Sequence, residues 1–217
     1  MYKVDLHTHS VISPDGGITA HQYQQAIDRG LLDCIAVTDH NRIDFAVQLQ
    51  QSLGQHIIVG EEILTTAGEI VGLYLTSVIP GGLTPSETIK RIKQQDGLVY
   101  IPHPFETVRK GLHPGVLEDI HEDVDIIEVY NGRAFAQNRS AQAVVWSKFN
   151  HIPAAASSDS HGYKGLGTTY TRLAHMPSRT TLAELIDQGT PIVSRPPVRS
   201  LLYPKYHRLR KKMRGDR

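Results

Sequence analysis

The chain has 217 residues, with 23 Lys and Arg against 22 Asp and Glu, for a formal net charge of +1 at pH 7. That balance excludes a whole-molecule basic field of the kind that holds nucleic acid or anionic membranes, and a single cysteine excludes an intramolecular disulfide framework. The length suits one domain with a sizeable core, while 12 His beside 4 Phe and 1 Trp direct attention to metal or proton chemistry.

The first run, "KVDLHTHS" at 3–10, has β-strand character, and alternation places Asp5, His7 and His9 on one face and Val4 and Leu6 on the other. A face with a carboxylate and two imidazoles is costly to bury unless something satisfies it, roughly 2–7 kcal/mol for each unpaired polar group. No signal-peptide core is expected there. "TAHQYQQAIDRG" then reads as a helix capped by Thr19 and ended at Gly30. "CIAVTDH" is a buried strand in which Cys34 is a small hydrophobe, and the lone thiol fits a cytoplasmic location. "HIIVGEE" and "EIVGLYL" follow as strands separated only by "LTTAG", which is too short for a crossover helix and suits a hairpin.

"TPSETIKRIKQQDG" predicts a helix with Thr84 as cap, Pro85 at the first position and Glu87 completing a capping box. Strands "LVYIPH" and "DIIEVYN", a helix over "NRSAQAVVWSKFN", strand "IPAAASSD", a helix over "TLAELIDQG" and strand "PIVS" complete the series. Alternating strands and helices predict an α/β protein with a largely parallel sheet. No run approaches the ~18 apolar residues of a membrane span. Residues 1–195 are expected to form the domain, and 196–217 a basic tail that is solvated and poorly ordered. A nucleic-acid contact is the other use of such a tail.

In a parallel barrel the carboxyl ends of the strands gather on one rim. Here those ends carry His7 and His9, then Asp15 in "SPDGG", Asp39 and His40 in "TDHN", Glu61 and Glu62 in "GEE", His103 in "PHP", Glu128 and Asn131, and Asp159 and His161 in "SSDSH". The hairpin return strand brings Glu69 to the same rim. Imidazoles with carboxylates and no thiol set suit zinc, manganese or iron. The other seven histidines sit in helical, loop or terminal contexts and are read as structural.

In order and spacing, "DLHTHS", "SPDGG", "AVTDHN", "VGEEI", "IPHP" and "SSDSH" resemble the motifs of the polymerase and histidinol phosphatase (PHP) family, from about Tyr2 to His161. The downstream "GLGTTYT" is also similar. The resemblance implies a distorted TIM-like (β/α)7 barrel with two or three divalent metal ions at the C-terminal rim of the strands. It implies that His7, His9, Glu62 and Asp159 hold one metal, that Asp15, His40 and His161 hold a second, and that Glu62 bridges to a third held by His103. Where the family often carries a histidine in the strand after the hairpin, this chain has Glu69. The likeness also makes Asp5 and Asp39 partners that orient neighbouring imidazoles.

The activity so implied is hydrolysis of a phosphate ester, from a small phosphorylated metabolite or a nucleotide, by metal-activated hydroxide, with His7, His9, His40, Asp159 and His161 as the catalytic set. Arg109 and Arg133, which follow the fifth and sixth strands, and Asn131 are the expected substrate-binding residues, with Arg139 and Lys164 weaker candidates. No "GxxxxGK[ST]" occurs, and Ser157, Ser158 and Ser160 are better read as turn residues than as nucleophiles. A second reading is a non-catalytic or weakly catalytic PHP module that binds metal and a nucleic-acid or protein partner. A metal-dependent amide hydrolase on a similar barrel is a third, disfavoured by the lack of a lysine placed at a strand end for carbamylation.

Overall fold

The computed structural model describes residues 1–134 and 138–215. Nine strands make one sheet: β1 Tyr2–Asp5, β2 Cys34–Val37, β3 Ile57–Leu64, β4 Glu69–Leu73, β5 Leu98–Ile101, β6 Ile126–Asn131, β7 Ala154–Ser157, β8 Thr169–Leu173 and β9 Thr190–Val193. Their order is β7-β6-β5-β4-β3-β2-β1-β8-β9. β4 is antiparallel to both its neighbours, and β8 is antiparallel to β1 and β9. The other ladders are parallel, so seven strands run one way and β4 and β8 the other.

The sheet curls until β7 lies beside β1 and β8. A parallel bridge joins Thr8 to Ser160, with the His9 N–H donating to the Ser160 carbonyl at 2.8 Å. The Thr171 hydroxyl exchanges bonds with the Ala156 backbone. The result is a nearly closed, distorted TIM-like barrel. The hairpin is as expected, with Leu64 opposite Glu69 and Gly60 opposite Leu73, whereas the "GTTYT" segment adds strand β8, which the apolar-run reading passed over.

Helices cover the barrel: α1 Ala20–Asp28, α2 Asp44–Leu53, α3 Pro85–Lys93, α4 Pro114–Ile120, α5 Ser140–Asn150, α6 Leu182–Asp187 and α7 Tyr203–Arg214. Thr19 and Gln22 form a reciprocal capping box on α1. Thr84 caps α3, but the Glu87 carboxylate turns along the helix to Arg91 instead of closing the box. Alternation in β2 splits the core: Ile35 and Val37 join the cluster that includes the helix faces, and Cys34 and Ala36 join one with Val4, Leu6, Ile58 and Tyr100. None of the described helices is long and apolar enough to cross a membrane.

The basic tail departs from its expectation. Residues Tyr203–Arg214 are helical and lie against the loop after β1. The Lys211 ammonium donates to the carbonyls of Val11, Ser13 and Gly16, and Arg208 pairs with Asp15 at 2.7 Å. Pro204 in the first turn starts the helix, and a loop presenting several carbonyls and a carboxylate holds Lys211 and Arg208. Residues 216 and 217 of the predicted tail lie outside the described residues.

Candidate metal centre

β1 ends at Asp5, and the extended segment beyond it carries His7 and His9 into the mouth of the barrel. Their Nε2 atoms stand 3.1 Å apart. A Glu62 oxygen lies 3.3 Å from the first and the other Glu62 oxygen 3.4 Å from the second. Asp159 Oδ1 lies 3.8 and 3.5 Å from the two nitrogens. Donor atoms about 2.0–2.2 Å from one tetrahedral cation are separated by about 3.3–3.6 Å. The observed separations cluster around that spacing, so His7, His9 and Asp159 fit a single divalent ion, with Glu62 reaching the two imidazoles through different oxygens.

A second group is continuous with the first. Asp15 Oδ2 is 3.4 Å from His40 Nε2 and 3.5 Å from His161 Nε2, and the His9 ring reaches the same group. On the other side His103 Nε2 is 3.1 Å from Glu62 and 3.7 Å from Glu69, which also lies 3.9 Å from His40. All nine residues expected to ligate metal therefore meet at one mouth. Glu69 arrives because β4 runs antiparallel to β3. All but His40 are buried.

Several rings are held so that one nitrogen faces the cluster. The His7 Nδ1–H donates to Glu128 at 3.3 Å, and the His161 Nδ1–H donates to the Asp159 carbonyl at 2.9 Å, leaving each Nε2 toward the other donors. His103 and Asp159 adopt φ of 29° and 49°. Such left-handed backbone costs about 1–3 kcal/mol at a non-glycine residue and tends to be kept where geometry serves a site.

Electrostatics follow from packing acids and imidazoles together out of water. Burial works against an ionised Glu62 carboxyl, yet His7 and His40 hold it well below the usual range. Burial also opposes Asp159, and Arg133 and His7 overcome it to keep its carboxyl strongly acidic. Burial, with the carboxylate of Glu62, pushes Glu69 up to about 8. For His161, burial and the neighbouring His9 and Arg133 press the ring down to about 3. A concentrated donor set with carboxylates in excess of fixed cations is one whose charge a divalent ion balances.

The supporting contacts differ from expectation in two places. Asp5 accepts the backbone N–H groups of His7 and Ser158, and Asp39 accepts the N–H and hydroxyl of Ser10, so neither orients an imidazole. The ring partner of His7 is Glu128, which also accepts from the Tyr100 hydroxyl, the His103 N–H and the Asn131 amide. Glu128 lies within β6, and its bond to His7 depends on the curled sheet bringing β6 opposite the segment after β1, a relation no local pattern contains.

Among the expected substrate contacts, Arg109 is enclosed. It forks onto Glu106 at 2.8 and 2.5 Å and reaches Asn131 at 2.6 Å and Asp159 at 2.7 Å. Asn131 is equally engaged, accepting from Arg109 and the Arg133 N–H and donating to Glu128. Both contact Asp159, and Asn131 also donates to Glu128. Arg133 is 3.2 Å from both Asp159 oxygens and is the more exposed of the two arginines. Ser157 bonds Tyr100 and Ser160 donates to the Gly162 carbonyl, so neither is poised as a nucleophile.

The barrel and the nine-residue mouth define a class of fold, that of PHP-like proteins. A two-domain protein from Bacteroides vulgatus, described as containing a predicted PHP-like metal-dependent phosphoesterase, superposes with a TM-score of 0.70 at 22% identity over 89% of this chain and 65% of that one. This chain thus spans just under two thirds of it. An amidohydrolase from Chromobacterium violaceum superposes at 0.58 with 14% identity over 91% of this chain and 95% of that one. In sequence, the uncharacterized protein MJ1587 of Methanocaldococcus jannaschii is 37% identical over 142 residues, covering 59% of this chain and 81% of its own. MJ0417 of the same organism, also uncharacterized, is 31% identical over 189 residues, covering 80% of this chain and 71% of its own. This chain belongs to the family of those two proteins. No family model matches it.

Proposed function

We propose that this protein is a metal-dependent phosphoesterase that hydrolyses the phosphate ester of a small metabolite or nucleotide. The observation that carries the reading is the His7, His9 and Asp159 set at single-ion spacing, with Glu62 beside both imidazoles and the His9, Asp15, His40 and His161 group sharing its edge. His7, His9, Glu62 and Asp159 would hold one cation, Asp15, His40 and His161 a second, and His103 with Glu62 and Glu69 a third, from zinc, manganese or iron. Bound there, such ions would supply Lewis-acid activation of water and of the phosphoryl group.

The chain's own part is positioning. Glu128 and the Asp159 carbonyl keep two imidazoles in the tautomer that leaves Nε2 free for a ligand bond. Arg109 and Asn131 restrain Asp159 from behind. Arg133, at the edge of the cluster, is placed to present a guanidinium to phosphoryl oxygens. The engagement of Ser157 and Ser160 favours direct attack by water over a phospho-enzyme, and a cytoplasmic setting fits the single buried Cys34. The predicted phosphoesterase in the structurally similar Bacteroides protein supports the reaction class, and the Chromobacterium amidohydrolase makes amide hydrolysis the comparison to test against it.

Metal analysis of the purified protein, then a panel of phosphate esters and amides with zinc, manganese and iron, tests the reading. Turnover of 4-nitrophenyl phosphate that a chelator abolishes is expected. Hydrolysis of amides alone would replace it. The second reading, a module that binds a nucleic-acid or protein partner through its tail, draws on the exposed Lys205, Arg210, Lys212 and Arg214 of α7, while Lys211 and Arg208 engage the loop after β1.

A further inference from the structure

α7 turns a polar side to the protein and an apolar side to water, the reverse of a helix that packs for stability. Inward, the Lys211 ammonium donates to the carbonyls of Val11 and Gly16, and Arg208 pairs with Asp15. Pro204 is buried in the first turn. The seat is fitted as well: a Cβ at Gly17 would overlap the His207 ring, and one at Gly162 the Tyr203 ring. The helix is therefore held in one orientation, and its apolar side is left out of the fold.

That outward side is a continuous stripe. Leu202, in the turn before the helix, and Tyr206, Leu209 and Met213 within it are between 54% and 79% exposed. Their i, i+4, i+7, i+11 spacing puts them within about 60° of one another at 3.6 residues per turn. Among the described residues they include every exposed leucine, so the stripe is a concentration and not the usual scatter of single apolar side chains. Cations border it on both flanks, Lys205 and Lys212 on one and Arg210 and Arg214 on the other, all four exposed. Six of the chain's 23 Lys and Arg lie in α7, and none of its 22 Asp and Glu. The net charge of +1 averages this local field away.

We infer that α7 is a docking face for an anionic lipid surface. Leu202, Tyr206, Leu209 and Met213 enter the boundary between headgroups and acyl chains, and the four flanking cations spread their charged ends among the lipid phosphates. Charge selects this occupant. A second copy laid stripe against stripe would bring two rows of cations together with no acid on either helix. A plane needs only the stripe and its flanks, whereas a groove closes around more of the helix, which Lys211 and Arg208 hold against the body. Nucleic acid would use the cations and leave the stripe in water. The docking goes beyond the hydrolytic function and stands whether or not that function holds.

Co-sedimentation of the full chain with vesicles tests it, using phosphatidylcholine alone and phosphatidylcholine with about 30% phosphatidylglycerol. Partitioning onto the anionic vesicles is expected to exceed that onto the neutral ones at least 10-fold, and to weaken as salt is raised. L209Q/M213Q and K205Q/R210Q/K212Q/R214Q should each lower anionic partitioning at least 10-fold, with circular dichroism melting to confirm that they fold. The comparison of the two vesicles by the wild type needs no variant. In M213W, tryptophan emission should move to shorter wavelength on anionic vesicles only. Failure of the wild type to prefer anionic vesicles, or partitioning unchanged in folded L209Q/M213Q, overturns the docking face. So does a dimer in sedimentation velocity that L209Q/M213Q dissociates, which gives the stripe to a second copy. Tight binding of a DNA duplex by a chain that ignores both vesicles gives the cations to nucleic acid and overturns it equally.

Discussion

The Nε2 atoms of His7 and His9 face each other at 3.1 Å, with carboxylate oxygens of Glu62 and Asp159 next to both. Two imidazole lone pairs at that separation repel unless a proton or a cation lies between them. The pair is therefore the most sensitive point of the candidate centre.

Replacing His7 by Ala removes one donor of the His7, His9 and Asp159 group. Hydrolysis of 4-nitrophenyl phosphate should fall by at least 1,000-fold, and the metal content measured by mass spectrometry should drop by about one ion per chain. In the wild type, saturating metal at about 100 times its Kd should stabilise the fold by ~2.7 kcal/mol, visible as a raised Tm that a chelator reverses. Full activity in His7→Ala would remove the site assignment.

Glu128 accepts four hydrogen bonds, from His7, Tyr100, His103 and Asn131. In Glu128→Gln one oxygen becomes an NH2 facing donors. The expected result is a 10- to 100-fold loss of metal affinity in competition with a chelator, typical of losing the partner of a ligating histidine. An unchanged affinity would show that the His7 ring is oriented by something else.

Gly16 stands where the loop carrying Asp15 crosses the backbone of His9. A Cβ there would come 2.3 Å from the Ser10 carbonyl oxygen and 2.8 Å from the His9 carbonyl. Backbone cannot step aside as a side-chain end can, so Gly16→Ala should cost about 1–3 kcal/mol in urea unfolding. Activity should fall further than stability explains, because Asp15 moves with the loop. A wild-type midpoint and activity would contradict the close packing.

Burial, helped by the neighbouring Asp33 carboxylate, pushes the Cys34 thiol up to about 12. In the unfolded chain a thiol titrates near ~8.5. Between those values the folded state binds the extra proton, so this contribution is complete below about pH 8.5 and is lost as pH rises toward 12. Unfolding at pH 8 and pH 10.5 should show a smaller alkaline loss of stability in Cys34→Ala than in the wild type. Iodoacetamide should label Cys34 in urea and leave the native thiol unmodified.

Much of the fold is legible in local pattern. The Val- and Ile-rich runs at 34–37, 57–60, 98–101 and 126–129 form strands because they fit a surface buried on both faces. Thr19 and Thr84 start helices because their hydroxyls accept otherwise unpaired N–H groups. The short "LTTAG" turn dictates an antiparallel return. By contrast, "GTTYT" has too few apolar residues to announce a strand. β8 forms because β1 and β9 offer it edges to pair with.

The sequence by itself determined which residue types stand at the strand ends, and hence that His7, His9, Asp15, His40, Glu62, Glu69, His103, Asp159 and His161 are donors of the kind that bind cations. Only the tertiary structure decided what each meets: Glu128 behind His7, Arg109 turned inward to Glu106, Arg208 on Asp15, and a basic helix beside the mouth instead of a solvated tail. Motifs are properties of neighbours along the chain, and strand ends meet by barrel symmetry. Partnerships across the barrel depend on register and curvature, which arise only when distant segments pack.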